Sequence, residues 1–324
     1  MRELKYNEAI NEALKQALAK DDRIFLMGED IGKYRGVFGV TAGLIDEFGE
    51  DRVMDIPISE TSFGGIAAGA AMTGLKPIIE IMFMDFMTIA SDGIFNQSAM
   101  LHYISGGQIN IPVIFRTTCS AGGGSGCHHG QSLAAWAMHW PGLKIAVPST
   151  PYDAKGLLNA AIEDENPILF VEDRSLYGTT GSVPEEYYTI PFGKAEIRRE
   201  GDDVTIVAIH RMVARSLSIA EELAGNGISI EVIDPRTLFP MDKSAIVNSI
   251  KKTGRLIIVE EGRKTNGIGS EISAVIAEEA IDYLQTPIVR VAAPMTPVPA
   301  SPPLEGFYVP NEDNIRDAVN TLIA

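Results

Sequence analysis

Apolar residues recur along this chain in two rhythms, and their alternation sets the architecture. The opening stretch, "MRELKYNEAINEALKQALAKDDR", mixes charged and aliphatic residues at helical spacing. Short apolar runs bounded by turn residues follow: "RIFLMGED", "VMDIPIS", "KPIIEIMF", "IPVIFRTT", "LKIAVPS" and "PILFVED", the last ending at Asp173. Strand-like runs separated by helical stretches predict a parallel sheet covered on both faces. Periodicity lapses from Arg174 to Phe192, "RSLYGTTGSVPEEYYTIPF", which reads as a linker. A second series then runs through "VTIVAI", a helix in "VARSLSIAEELAGNG", "SIEVID", a helix near 242 to 252, "RLIIVEE", a helix near 269 to 283, and "PIVRVAA". The expectation is an α/β protein with two parallel-sheet domains, residues 1–190 and 191–324. Gly225 and Gly227 mark one helix end, and Asp242 stands where it can cap the helix after Pro240. The proline-rich "APMTPVPASPPLEG", 293 to 306, reads as an ordered surface loop.

The chain has 324 residues, enough for two domains with cores of their own. No apolar run reaches the roughly 18 residues of a membrane span, and the N-terminus lacks the apolar centre of a secretory signal. These features point to the cytoplasm. Cys119 and Cys127 form neither a disulfide framework nor a zinc motif, although a bond between them stays open at this level. With 27 basic and 43 acidic residues the net charge is −16, which disfavours non-specific nucleic-acid binding and suits a basic protein partner.

Ligands of open parallel sheets bind beyond the carboxyl ends of strands, so residues just after each apolar run are the first candidates. Glu60 stands there, between "VMDIPIS" and the small-residue stretch "FGGIAAGAAMTG". Apolar cover from Ile58 and Phe63 would disfavour its charged form and bring its pKa into the range useful for proton exchange. The alternative is a first-turn acid on a tightly packed helix. The second candidate is "TTCSAGGGSGCHHGQSLAAWAMHW", 117 to 140, whose glycines deliver His128 and His129 just before a helix starting near Gln131. Adjacent histidines admit a metal reading, but no further ligand pattern accompanies them. "GEDIGKYRGVFGV", 28 to 40, lacks the order of a phosphate loop, and "GRKTNGIGSE", 262 to 271, is either an anion-holding helix start or a tight strand-to-helix turn.

"GED" at 28 to 30, "ISE" at 58 to 60, "SGGQ" at 105 to 108, the loop ending "HHGQS", "PGLKIAVPSTPYDAKGLL", "NPILFVED" and "IDPRTLFPMD" occur together and in order. The chain thereby resembles, over its whole length, the β subunit of the thiamine-diphosphate-dependent first component of 2-oxo acid dehydrogenase complexes, of the pyruvate, acetoin and branched-chain types. The resemblance implies a pyrimidine-binding transketolase-like domain followed by a transketolase C-terminal-like domain. It implies that Glu60 hydrogen-bonds the aminopyrimidine of thiamine diphosphate and favours the tautomer that activates the thiazolium. Phe86 in "FMDFMT" and Ile58 fall where relatives contact the pyrimidine, and an ordinary core role for Phe86 stays open. His129 matches the histidine that stabilises charge during decarboxylation and acyl transfer to lipoamide, with His128 as the alternative. Val113, Ala161, Ile162, Asp164 and Asn166 fall where some relatives bind potassium. The chain departs from relatives at Cys127, His128 and Gly130, which loosens what the resemblance says about substrate.

The resemblance also implies a missing half. Thiamine-diphosphate enzymes anchor the diphosphate through Mg2+, using a G-D-G segment and an asparagine roughly 25 to 30 residues later. "SDG" at 91 to 93 lacks the first glycine and the asparagine. The Mg2+ ligands then belong to an α subunit in an α2β2 heterotetramer, and the acidic β surface suits the subunit-binding domain of a lipoyl acyltransferase core. Two other readings are the C-terminal half of a split transketolase, which would want more basic residues for a sugar phosphate, and a non-catalytic scaffold, against which Glu60, Phe86 and His129 argue.

Overall fold

A computed structural model describes residues 1–324 and divides the chain into two units, one of Met1–Cys119 with Ala137–Phe192 and one of Ser120–Trp136 with Gly193–Ala324. The glycine loop, first-domain by chain order, therefore groups with the second unit. In chain order the early elements are β1 (Arg2–Lys5), α1 (Tyr6–Lys20), β2 (Ile24–Gly28), α2 (Leu44–Phe48), β3 (Val53–Asp55), α3 (Glu60–Met72), β4 (Lys76–Ile81), α4 (Leu101–Ile104) and β5 (Ile114–Cys119). A single turn, α5 (Ala134–Ala137), then precedes β6 (Lys144–Ala146), α6 (Pro151–Glu163), β7 (Ile168–Asp173) and β8 (Thr180–Val183).

In the first unit six strands run parallel in the order β6-β7-β5-β4-β2-β3. From β2 the chain steps to β3 on one side and then crosses to β4 on the other, which opens a crevice at the carboxyl ends of these strands. The core joins the apolar stripe of α1, Ile10, Leu14 and Leu18, to Leu26, Ile78, Ile114 and Phe170 of the sheet and Leu157 of α6. Thr150 caps α6, its Oγ1 accepting from Asp153 N at 3.1 Å, and Pro151 opens the first turn. One feature was silent in the hydrophobic pattern: β1 and β8 form an antiparallel ribbon, so the linker segment carries a strand. "RELK" and "TGSV" bury little side chain, and only backbone pairing defines them.

The second unit contains β9 (Glu196–Arg199), β10 (Val204–Ala208), α7 (Arg211–Ala224), β11 (Ile230–Asp234), β12 (Thr237–Phe239), α8 (Lys243–Thr253), β13 (Leu256–Arg263), α9 (Ile268–Glu279), β14 (Val289–Ala293), α10 (Pro302–Tyr308) and α11 (Glu312–Ile323). Its five-stranded sheet has the order β14-β13-β10-β11-β9, parallel except for the edge strand β9. The expected all-parallel sheet is thus mixed, because β9 enters from the linker beside β11 without a crossover helix. Asp242 caps α8 as expected, accepting from Ala245 N at 3.1 Å. The proline-rich stretch is partly helical: Pro302 and Pro303 open α10, where proline's fixed φ suits a first turn.

Candidate functional site

Glu60 is the first residue of α3 and is only 7% exposed. No group of the chain hydrogen-bonds its carboxylate. An acid present only to cap a helix would accept from the open amides, so a carboxylate with no bond from the chain suits a group that takes an external donor. Phe63 is buried and contributes cover, whereas Ile58 is 80% exposed, a correction to its expected part in sheltering Glu60. Ile58 precedes the cap residue Ser59, on backbone that has not yet entered the helix.

Sequence reasoning missed Glu29. It follows β2 directly, and Ile56 N donates to Gly28 O at 3.0 Å, which ties the path leading to Glu60 to the end of β2. Burial raises the Glu29 carboxyl above its ordinary range, and the negative charges of Glu60 and then Asp30 add to this against a hydrogen bond from the Ser59 backbone. Its Oε1 is buried without a hydrogen-bond partner. The two carboxyls are thus close enough for the charge of Glu60 to act on Glu29. The clue was the register, Gly28 against Asp55, which places residues 29 and 60 at neighbouring strand ends.

The helix carrying Glu60 sits on backbone. A Cβ at Gly64 would stand 2.4 Å from Gly93 Cα, so only glycine at both positions allows the approach. The opposite face is open: a Cβ at Gly65 or Gly69 meets nothing within 4 Å, and Ile66 and Met72 are exposed. Phe86 follows β4 and is half-buried, edge-on to Phe83 at 5.7 Å, which in turn meets Phe38 at 5.7 Å. Arg174 lies over the rings of Phe83 and Phe38. Beneath this end of the sheet, Arg116 on β5 donates to Glu172 at 2.8 and 3.0 Å and to Glu80 at 2.8 Å, while Tyr177 OH donates to Glu172 at 2.6 Å.

In the second unit the glycine loop is anchored along its length. Glu261 on β13 accepts from Ala121 N, Arg211 donates to Glu261 at 2.7 Å and to Ala121 O at 2.8 Å, and Gly124 N donates to Glu305 at 3.0 Å. Arg263 donates to Gln131 Oε1 at 3.0 Å. Between these anchors, Gly122, Gly123, Gly124 and Gly126 all have positive φ, and Cys127, His128 and His129 are exposed. Cys127 Sγ lies 3.5 Å from His128 Nδ1. Gly130, a departure from relatives, has a local cause: a Cβ there would approach Ser125 Oγ to 2.6 Å. No group of three or more His, Cys, Asp or Glu converges to hold a metal.

Both loops weighed for anions are already satisfied. Gly32 N and Lys33 N donate to Asp55 at 2.6 and 3.0 Å, and Ile268 N and Gly269 N at the start of α9 donate to Glu260 at 3.0 and 2.7 Å. The potassium candidates gather around the end of α6 and the start of β7. Ile162 O accepts from Lys76 at 3.1 Å, Val113 O from Ile168 N at 2.8 Å, and Ala161 O from Asp164 N at 3.3 Å. Burial pushes the Asp164 carboxyl up, but hydrogen bonds from Lys144 and Asn166 outweigh it and hold it below the usual range. These oxygens are the donors a hard cation takes, and Lys76 competes for one of them.

Residues 2–180 match the family described as transketolase, pyrimidine binding domain, and residues 193–315 match transketolase, C-terminal domain. The chain is 47% identical to the acetoin:2,6-dichlorophenolindophenol oxidoreductase subunit beta of Bacillus subtilis (strain 168), covering 97% of this chain and 95% of that protein. It is 42% identical to the pyruvate dehydrogenase E1 component subunit beta of Rhizobium meliloti (strain 1021), covering 99% and 70%. The chain belongs to the E1 β-subunit family. Among E1 β relatives it is also 42% identical to the 2-oxoisovalerate dehydrogenase subunit beta of Bacillus subtilis (strain 168), covering 99% of both. In fold, this E1 β-family chain is similar to a split-gene transketolase solved as an inactive β4 tetramer, with a TM-score of 0.80 at 24% identity over 99% of this chain and 98% of that one. No helix is long and apolar enough to cross a membrane.

Proposed function

We propose that this chain is the β subunit of a cytoplasmic, lipoamide-linked dehydrogenase first component that cleaves acetoin or oxidatively decarboxylates pyruvate and passes the acyl unit to lipoamide. The observation that carries the reading is Glu60: buried, without a hydrogen-bond partner, and next to a second carboxyl with a raised pKa. A carboxylate left without a bond from the chain at the start of α3 fits the ring nitrogen of an aminopyrimidine, and Phe86 and Ile58 offer apolar contacts for a ring. Thiamine diphosphate, when bound, supplies the carbon nucleophile and the electron sink. Glu60 would hold the pyrimidine end through a hydrogen bond at its ring nitrogen, and exposed His129 would offer a hydrogen-bond donor to the substrate carbonyl. The five oxygen-bearing candidates, Val113, Ala161, Ile162, Asp164 and Asn166, would hold potassium as a structural ion.

An α partner is supported by α3. A helix apolar on every side is ordinarily enclosed, yet the face with Gly65, Ile66, Gly69 and Met72 is open. In the proposed α2β2 tetramer that face is covered by the α subunit, which also brings the Mg2+ ligands absent here. The net charge of −16 suits docking of a basic subunit-binding domain from the acyltransferase. Acetoin is preferred over branched-chain substrates because the 47% acetoin relative exceeds the 42% branched-chain one, a margin that the 42% pyruvate relative does not have.

The test is co-expression with the α subunit and thiamine-diphosphate-dependent dye reduction on acetoin, pyruvate and 2-oxoisovalerate. Acetoin or pyruvate is expected to support turnover, and Glu60→Gln is expected to abolish it while the assembly elutes unchanged on gel filtration. Near-normal rates in that variant, or full activity without any α chain, would overturn the proposal.

A further inference from the structure

A second cavity lies wholly in the C-terminal unit, between the end of β13, the start of α9, β14 and α10. It measures about 800 Å³, within the range of small-molecule sites. Its chemistry is unusual for this chain. The protein carries a net charge of −16, yet the lining includes Lys264 and Arg290 and no aspartate or glutamate. Neither cation makes a direct ion pair, although the charge of Arg290 acts on the buried Glu260 carboxyl behind it. Lys264 is exposed and its ammonium has no partner within the chain.

Arg290 spends one nitrogen, Nη1, on Lys264 O at 3.0 Å and Ser270 Oγ at 2.8 Å. Its Nε and Nη2 hydrogens are left for an outside acceptor, and Ser270, having accepted from Arg290, keeps its own hydroxyl proton to donate. The amides at the start of α9 cannot take part, because Glu260 already accepts from Ile268 N and Gly269 N. Anion capture here therefore falls to side chains, in a setting whose overall field repels anions. The other wall is apolar. Phe307 and Met295 are 78% and 71% exposed, and a planar ring laid on Phe307 would bury a hydrophobic surface that the chain itself leaves bare.

We propose that this cavity is a binding site for an organic phosphate of nucleoside-monophosphate size, with the phosphate held by Lys264, Arg290 and Ser270 and the planar body on Phe307. A phosphate carries close to two negative charges and three acceptor oxygens, which matches two cations and a hydroxyl on one cavity lining better than a single carboxylate does. The site is independent of the Glu60 crevice and stands or falls separately from the activity proposed above.

The experiment is isothermal titration of the full chain with AMP, adenosine and inorganic phosphate, each at millimolar concentration. AMP is expected to bind, with adenosine and inorganic phosphate each weaker by about ten-fold or more. Lys264→Met and Arg290→Met should each weaken AMP by about ten-fold or more, and Phe307→Ser should weaken AMP while leaving the response to inorganic phosphate unchanged. If Arg290→Met fails to fold, Lys264→Met decides, because that ammonium supports nothing else. Absence of AMP binding, equal binding of AMP and adenosine, or parental affinity in Lys264→Met would overturn the assignment.

Discussion

Replacing Arg116 with methionine tests what holds the sheet beneath the Glu60 crevice. Arg116 is 2% exposed, and methionine keeps an unbranched apolar stem without the charge or the fork of donors. The substitution strands two carboxylates, Glu172 with a fully buried side chain and Glu80 with 11% side-chain exposure. Only Tyr177 OH, at 2.6 Å, still donates to Glu172. Breaking a buried pair from one side costs about 3 to 5 kcal/mol, a large share of the roughly 5 to 15 kcal/mol that keeps a folded protein intact. The chain has two tryptophans, and in a Trp136→Phe background Trp140, stacked on Phe95 at 4.9 Å, reports on the first unit alone. Urea titration of its fluorescence should show a lower midpoint at unchanged slope.

The pH dependence gives a second handle. Burial raises the Glu172 carboxyl in spite of the opposing charge of Arg116 and the hydrogen bond from Tyr177. Without Arg116 the rise is larger. An acid whose folded pKa exceeds its unfolded value favours the folded state below the unfolded pKa, and that advantage disappears as pH climbs through the folded pKa. The deficit of Arg116→Met should therefore be greatest near pH 8 and shrink towards about pH 5, and adding Glu172→Gln should recover part of it. A loss under about 1 kcal/mol near neutral pH, or a deficit that deepens on acidification, refutes the reasoning.

Three further outcomes follow from the geometry. Gly64→Ala, whose Cβ would meet Gly93 Cα at 2.4 Å, should lose about 1 to 3 kcal/mol by urea titration, whereas Gly65→Ala, within the helix and in open space, should raise the midpoint slightly and weaken association with the α subunit on gel filtration; equal midpoints for the two variants would refute the backbone seat. Glu305→Gln weakens the acceptor for Gly124 N, and hydrogen exchange across residues 121 to 127 should quicken by about ten-fold, an unchanged rate counting against the anchor. Lys76→Met frees Ile162 O, so potassium chloride should stabilise the variant more than the parent, by about 1 kcal/mol once potassium reaches about five times its Kd, while choline chloride does nothing; identical responses would dismiss competition at that carbonyl.

Glu60 was legible because an ionisable residue stood between a strand pattern and a helix too small-sided to cover it. Its neighbour Glu29 was not, since the two are distant in sequence and meet only through the register that sets β2 beside β3. The Arg116 cluster left a trace, charged residues set within three apolar runs, but only the pairing of Glu80 with Arg116 and of Thr118 with Glu172 turns that trace into a network. Ribbon β1–β8 and edge strand β9 escaped notice because hydrophobic periodicity reports burial, and these strands are fixed by backbone pairing at exposed edges. The histidine loop was read correctly as a glycine-rich turn after β5, yet its anchors, Glu261, Arg211 and Glu305, lie far along the chain and carry no local signal.

That anchoring limits how the gene can be rearranged. The histidine segment is encoded inside the first half but braced by residues from the second, so a chimera joined at residue 192 between this chain and a distant relative would give the loop foreign supports. Exchange of C-terminal halves should then succeed only where those supports match or residues 120 to 136 travel with them, making the splice needed to trade halves a discontinuous one.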